Sequence, residues 1–278
     1  LAEEHSMDLE QVPGTGIGGR VTREDVLAYL AGLEGTAGTG TSAPAEDEEE
    51  IVITPIRRLI ADHMVRSVQT SPHAWAVLEV DVTDLVALRK SLREQFEEEE
   101  GVSLTYLPFA VKAATEGLKE NPMLNSTWAG DRIILKKRIH IGMAVATDEG
   151  LVVPVIKDAD TKSIKVLARE IADLTTRARE GRLSLDAVSG GTFTVNNSGA
   201  LGTLITMPII NQPQVAILNM DAIVKRPVVV ERDAIAVRSM MHITVAFDHR
   251  ILDGAAAASF LRRVKARLES YGPSAALD

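Results

Sequence analysis

The sequence predicts a mixed α/β fold, a large mixed sheet with helices on one face, preceded by a very small helical domain. Three observations carry that expectation. Strand-like segments crowd the second half of the chain, the clearest being Met241, Ile243, Val245 and Phe247 alternating with His242, Thr244 and Ala246, the period-2 pattern of a half-buried strand. Earlier segments space apolar residues as one helix face, for instance Leu85, Leu88, Leu92 and Phe96. Residues 35–50 combine Gly, Thr, Ser, Ala and Pro with the acidic run Glu46 to Glu50, the composition of a solvated linker. The expected organisation is therefore a small domain over 1–34, a flexible linker over 35–50 and a large domain over 51–278.

In the small domain a short helical piece at Leu1 to His5 comes first. A glycine-dense loop, Gly14 to Arg20, leads to a helix from about Arg23 to Leu33 carrying Val26, Leu27 and Leu30. Thr22 with Asp25 three residues on is a capping-box-like start. The loop matches G-x-G-x-x-G at Gly14, Gly16 and Gly19. A dinucleotide site is rejected there, because no strand precedes the loop and no βαβ unit can be built around it.

From Ile51 onward helices and strands mix. Thr54-Pro55 opens a helix with Ile56, Leu59, Ile60 and Met64 on one face, proline being tolerated at the first position. His73 to Val82 reads as a strand, and Thr83 as the cap of the helix that ends in the Glu run before Gly101. A helix over Leu107 to Lys119 stops at Asn121-Pro122. Strands are expected at Arg132 to Leu135, His140 to Ala146 and Leu151 to Val155, the last two joined as a hairpin by Asp148-Glu149-Gly150. Ser163 begins a long amphipathic helix through Leu167, Ile171 and Leu174. Strands follow at Gly191 to Val195, Gln214 to Met220, about Ala222 to Val230, and Ala236 to Phe247. Consecutive late strands favour a mixed sheet over a doubly wound nucleotide fold.

Composition narrows the function classes. At 278 residues and 45% hydrophobic content the chain can bury a full core. No apolar run reaches the roughly 18 to 20 residues of a membrane span, and no signal segment opens the sequence, so neither membrane insertion nor secretion is expected. The absence of cysteine excludes disulfides, thiolate metal sites and a cysteine nucleophile. A net charge of −9 argues against nucleic-acid binding. Nine of the 39 acidic residues are clumped at Glu46 to Glu50 and Glu97 to Glu100, which leaves room for basic patches elsewhere.

The best candidate for chemistry is Asp248-His249-Arg250-Ile251-Leu252-Asp253-Gly254, where the alternating strand gives way to an Ala-rich helical stretch. A histidine leaving a rigid strand end has the limited mobility a general base needs, and imidazole is the side chain best suited to proton transfer at neutral pH. Asp253 before Gly254-Ala255 equally suits a plain N-cap, and the spacing alone leaves the two readings even. His5, His63 and His242 have no supporting neighbours, His73 and His140 at strand starts read as structural, and no histidine pair has metal-ligand spacing, so no metal is expected.

Further blocks accompany that motif. Gly190-Gly191-Thr192-Phe193-Thr194-Val195-Asn196-Asn197-Ser198-Gly199 is a strand running into a small polar turn; Pro208-Ile209-Ile210-Asn211-Gln212-Pro213 feeds a buried strand; Ser71-Pro72-His73-Ala74-Trp75 starts the first long one. In this order, behind Asp8-Leu9 … Gly14-Thr15-Gly16 … Gly19-Arg20-Val21-Thr22, they resemble the acyltransferase (E2) component of 2-oxo acid dehydrogenase complexes. The large domain then resembles that family's catalytic domain, similar in fold to chloramphenicol acetyltransferase, and the small one its peripheral-subunit-binding domain.

The resemblance implies transfer of an acyl group from a dihydrolipoyl thiol, on a lipoyl domain not present in this chain, to the thiol of coenzyme A. His249 would be the base, with Asp253 fixing the imidazole or the helix start. Asn196 occupies a position where many family members place a Ser or Thr hydroxyl, and its NH₂ would serve as the oxyanion donor, Asn197 or Ser198 being the alternatives. Arg57 and Arg58 would meet the phosphates of coenzyme A; Lys136-Lys137-Arg138 and Lys225-Arg226 are alternatives that read more simply as solvated charge. Arg20, and more weakly Arg23, would meet the partner enzymes E1 and E3, although the acidic Glu3 and Glu4 stand where such domains carry basic residues. The family assembles as trimers with the site between subunits, and the trimers into cage-like cores. Ser71 to Trp75 with Glu79 to Thr83, Thr194 to Asn197 and Ile223 to Pro227 look most like the branched-chain type, with acetyl or succinyl transfer, or a non-catalytic scaffold, as alternatives. The expected location is the bacterial cytoplasm, or the mitochondrial matrix in a eukaryote, and the chain reads as a fragment of a longer protein.

Overall fold

The computed structural model describes residues 49–148 and 150–272 together with Val21, Thr22, Asp25, Asp47, Ala275 and Leu277. The chain divides into two compact units, Leu1–Ile53 and Thr54–Asp278. In the first, the Thr22 N–H and hydroxyl both donate to Asp25 Oδ2 (2.8 and 2.9 Å), and the Asp25 N–H donates back to Thr22 Oγ1 at 3.3 Å. This is the reciprocal capping expected from the sequence. The glycine loop, Arg20, Arg23 and most of the expected linker lie outside the described residues.

The second unit runs through α1 (Pro55–Thr70), β1 (His73–Asp81), α2 (Thr83–Glu100), α3 (Leu107–Glu120), β2 (Ser126–Trp128), β3 (Ile133–Leu135), β4 (Ile141–Met143), β5 (Val145–Thr147), β6 (Gly150–Val152), β7 (Val155–Ile156), α4 (Ile164–Arg179), β8 (Phe193–Asn197), β9 (Ala216–Met220), β10 (Val224–Val229), β11 (Ile235–Asp248) and α5 (Gly254–Glu269). The main sheet has the order β1-β11-β9-β8-β4-β7, with β10 on the outer half of β11. The β4–β8 and β8–β9 pairs are parallel; the others are antiparallel. Its central strands carry Phe193, Val195, Leu218, Ile243 and Val245, all buried against the helices. Phe193 meets Phe260 of α5 at 5.5 Å between ring centroids, and Phe109 of α3 meets Tyr271 edge-on at 4.9 Å, the tilted geometries aromatic pairs favour.

Several expectations needed correction. Thr83 is not the cap of α2: its N–H and hydroxyl are held by Asp81 Oδ1, and its Oγ1 accepts from the Ser239 N–H. The expected strand 140–146 is two, β4 and β5, and 151–155 divides into β6 and β7. Pro154 has no N–H to give to a ladder, and its carbonyl accepts from Met143 across the break. The β5–β6 hairpin then forms its own small sheet, with Thr147 opposite Gly150. Strand β2, three residues long, was too short to leave a period. The apolar side of α1 is not buried, since Ile56 and Leu59 are 46% and 69% exposed. The helix is held instead by polar contacts, Ser67 Oγ to Ile210 O (2.6 Å) and His63 Nε2 with Asn211 Oδ1 (3.0 Å).

Candidate active site

The strongest sequence motif sits at the end of β11. The Asp248 N–H donates to Val215 O at 2.8 Å and the His249 N–H to Pro72 O at 2.9 Å, so the backbone is pinned on both sides as it leaves the sheet. Asp248 is 2% exposed. Its carboxylate takes the guanidinium of Arg250 through Nε (3.0 Å) and Nη2 (2.6 Å), and the Arg250 backbone N–H at 3.0 Å. Burial pushes the Asp248 carboxyl up, and the Arg250 hydrogen bonds and charge, with help from Ser71, outweigh it and leave it below the ordinary carboxylate value. Arg250 in turn lies over the Trp128 ring at 4.8 Å. Between these fixed neighbours the imidazole of His249 is exposed, 5.6 Å from the Phe247 ring.

Asp253 is the N-cap of α5, Oδ1 accepting from the Ala256 N–H at 2.8 Å. Among the described residues no hydrogen bond joins it to His249. The capping half of the expectation is thus built in the chain, and a bond to the imidazole is not.

Asn196 lies near the end of β8, in register with Asn219 of β9, which is itself in register with Thr244 of β11. From Thr244 the chain runs five residues to His249, roughly 17 Å at about 3.4 Å per residue, with two strand spacings of about 4.8 Å across. His249 and Asn196 therefore stand at different ends of the sheet and do not meet within one chain. Around Asn196 the structure assembles a polar cluster that no sequence motif announces. Asn196 Nδ2 donates to Asn219 Oδ1 (2.8 Å), and Ser198 Oγ lies 3.0 Å from both Asn219 Oδ1 and Asp221 Oδ1 and 2.9 Å from Thr206 Oγ1. Gly199 lets this turn rest on the next strand, because a Cβ there would sit 2.3 Å from Asp221 O.

Arg57 and Arg58 are exposed on the first turn of α1, about 20 Å along the helix from Ser71 at 1.5 Å per residue, and so are not beside His249 of the same chain. Lys136, Lys137 and Arg138 line a cleft of about 600 Å³ with His140, Gly191, Thr192 and Pro213. Arg138 is engaged by Asp158, and Arg226 by Glu79 at 3.1 Å, while Lys225 is exposed. His73 is fully used, Nδ1 on Ser71 O (2.7 Å) and Nε2 accepting from the Ile210 N–H (3.0 Å). His140 Nδ1 accepts from the Asp158 N–H (2.9 Å), and burial lowers its pKa. Among the described residues no cluster of His, Asp and Glu could hold a metal ion, and no helix is long and apolar enough to cross a membrane.

Comparison with known proteins follows the same lines. The profile of the 2-oxoacid dehydrogenases acyltransferase catalytic domain matches residues 45–276, and that of the e3 binding domain matches residues 1–27. The lipoamide acyltransferase component of the branched-chain alpha-keto acid dehydrogenase complex of Bacillus subtilis is 47% identical over 97% of this chain and 69% of its own length. A probable dihydrolipoamide acetyltransferase from Listeria monocytogenes superposes with a TM-score of 0.82 at 50% identity, over 84% of this chain and all of that one. The Azotobacter vinelandii dihydrolipoamide acetyltransferase, studied for the roles of a serine, a histidine and an asparagine in catalysis, superposes with a TM-score of 0.78 at 36% identity, over 82% and 96% of the two chains. The polar turn after β8, the pinned histidine after β11 and these likenesses over nearly the whole chain converge, and the chain belongs to the 2-oxoacid dehydrogenase acyltransferase family.

Proposed function

We propose that this acyltransferase moves a branched-chain acyl group from a dihydrolipoyl carrier to coenzyme A, at a site shared between neighbouring copies in a trimer. The observation that carries the reading is the division of the candidate residues: an exposed, backbone-pinned His249 at one end of the sheet and the Asn196 turn at the other. A thiol with a pKa near 8.5 is mostly protonated at pH 7. His249 takes the coenzyme A proton as its sulfur attacks the thioester carbonyl, which forms a tetrahedral oxyanion. Asn196 of a neighbouring chain offers that oxyanion the amide hydrogen its bond to Asn219 leaves over, since an NH₂ carries two donors. Collapse expels the dihydrolipoyl sulfur, to which the imidazolium returns the proton, and acyl-coenzyme A leaves. Asp253 acts by fixing the start of α5 behind the histidine loop. In the Azotobacter enzyme the histidine and asparagine under study are four positions apart, the separation of His249 and Asp253.

Association has its own support. Ile56, Leu59, Val65 and Val68 of α1, and Leu201, Leu204, Ile205 and Met207 after β8, are exposed in the single chain, and apolar patches of this kind mark contact surfaces. Trimers joining into a larger core, residues 1–34 binding E1 and E3 through Arg20 and Arg23, Arg57 and Arg58 meeting the coenzyme A phosphates, and a bacterial cytoplasmic location complete the proposal. The branched-chain choice rests on the 47% identity to the Bacillus protein. The test is turnover of dihydrolipoamide thioesters with coenzyme A. Branched-chain donors should outrun acetyl and succinyl ones, and His249→Ala should cost roughly 10²- to 10⁴-fold; a flat donor panel, or turnover indifferent to His249→Ala, overturns the reading.

A further inference from the structure

Asn219 is a buried polar residue on an otherwise apolar strand. It is the penultimate residue of β9, is wholly buried, and stands on a strand whose other residues, Ala216, Ile217, Leu218 and Met220, are all apolar. Among the described residues its Nδ2 has no hydrogen-bond partner. Two atoms beside it are in the same state, Asp221 Oδ2 two residues on and the hydroxyl of Thr244, its register partner on β11. Unmet buried groups of this kind are uncommon and call for an explanation. What Asn219 does make is one well-placed bond on its other atom, Oδ1 accepting from Asn196 Nδ2 at 2.8 Å.

Ser198 Oγ also lies 3.0 Å from Asn219 Oδ1, but it holds a single proton and stands equally close to the carboxylate of Asp221. The charged acceptor is the stronger of the two. Thr203 Oγ1 also donates to that carboxylate, at 3.2 Å, and the Thr206 hydroxyl, 2.9 Å from Ser198, can give its own proton to Ser198. The donor left to Asn219 Oδ1 is then the amide of Asn196. The bond takes one of the two hydrogens of that amide and fixes the plane, and so the direction, of the other.

We infer that Asn219 is a positioning residue for acyl transfer: it holds the side chain of Asn196 from behind, so that the free N–H of Asn196 is aimed at the oxyanion before substrate arrives. A flexible amide must be ordered during the reaction, and a pre-aimed one need not be. The amide of Asn196 turns on two torsions, and the bond to Asn219 holds the second.

The inference rests on the proposed role of Asn196, and a mutant cycle in the assembled protein separates the two. Asn219→Leu keeps the branching and the number of heavy atoms while removing both the unmet N–H and the Oδ1 acceptor; Asn219→Ala provides a second variant should the bulkier methyl groups of the first force repacking. The expected result is a kcat lower by about 10-fold, a part of the roughly 10²-fold that a misplaced group can cost, with KM for coenzyme A unchanged. In an Asn196→Ala background the same substitution should change kcat by less than about 2-fold, since residues acting as one unit are not additive. If Asn196→Ala leaves kcat unchanged, the oxyanion reading fails and this inference with it. If Asn196→Ala slows turnover while both Asn219 variants keep native kcat, or if the two effects multiply, Asn219 does not act through Asn196 and the inference alone is overturned.

Discussion

His249 owes its setting to its two neighbours in sequence. Asp248 and Arg250 form a carboxylate–guanidinium pair whose carboxylate is buried and whose guanidinium reaches solvent, so the residue between them has its backbone direction set while its ring stays in solvent. Arg250→Ala would take a charged hydrogen-bond partner from that carboxylate, which costs about 1.5–3 kcal/mol, and thermal unfolding should show the loss. The pH dependence has a definite sign. The folded-state pKa of Asp248 lies below the ordinary value, so its contribution is complete above about pH 4 and is lost as the pH falls through the folded value. The drop in melting temperature between pH 5 and 3 should accordingly be smaller in Asp248→Asn than in the native protein. Asp253 is separable from the histidine by its readouts: Asp253→Ala should cost about 1 kcal/mol through the lost cap, and Asp253→Ser, which still caps, should restore that stability.

At the level of elements, two glycines set how closely backbone and helices approach. Gly199 lets the turn after β8 lie on the backbone of Asp221, where a Cβ would come within 2.3 Å of a carbonyl oxygen that cannot move aside. Gly199→Ala should therefore shift the Asn196–Ser198 turn; kcat should fall together with a stability loss of about 1–3 kcal/mol, the usual range for overpacking. Gly117 plays the packing counterpart in α3, where a Cβ would sit 2.8 Å from the Phe260 ring of α5. Gly117→Ala should destabilise by a comparable amount without a specific loss of turnover in the fraction that remains folded, which calorimetry and active-site titration would show. The contrast follows from what each glycine faces, the polar turn in one case and the aromatic core in the other.

For the whole molecule, the distance between His249 and Asn196 along the sheet makes a mixing experiment decisive. If each site takes its histidine from one chain and its amide from the next, co-assembling equal amounts of His249→Ala and Asn196→Ala chains restores native residues to about a quarter of the sites of a cyclic trimer. Activity measured after co-refolding should rise to that level, far above either parent. Were both residues used from one chain, mixing would restore nothing.

The local chemistry of this chain was written in its sequence: the alternation of β11, the Ser163 cap of α4, the Thr22–Asp25 box and the motif around His249 are all short-range patterns, each carried by residues within a turn or a strand of one another. Thr83 misled because a hydroxyl before a helical run can serve as cap or as first-turn residue, and the choice was made by Asp81 and Ser239. The apolar side of α1 was legible as a side, while its exposure was not, because period predicts an apolar side and not what covers it. What only the tertiary structure decided was register: that Asn196 lies level with Asn219 and Thr244, that Ser198 reaches Asp221, and that His249 ends at the other side of the sheet. Strand order joins residues far apart in the chain, and pairings of that kind leave no periodic trace in a single sequence.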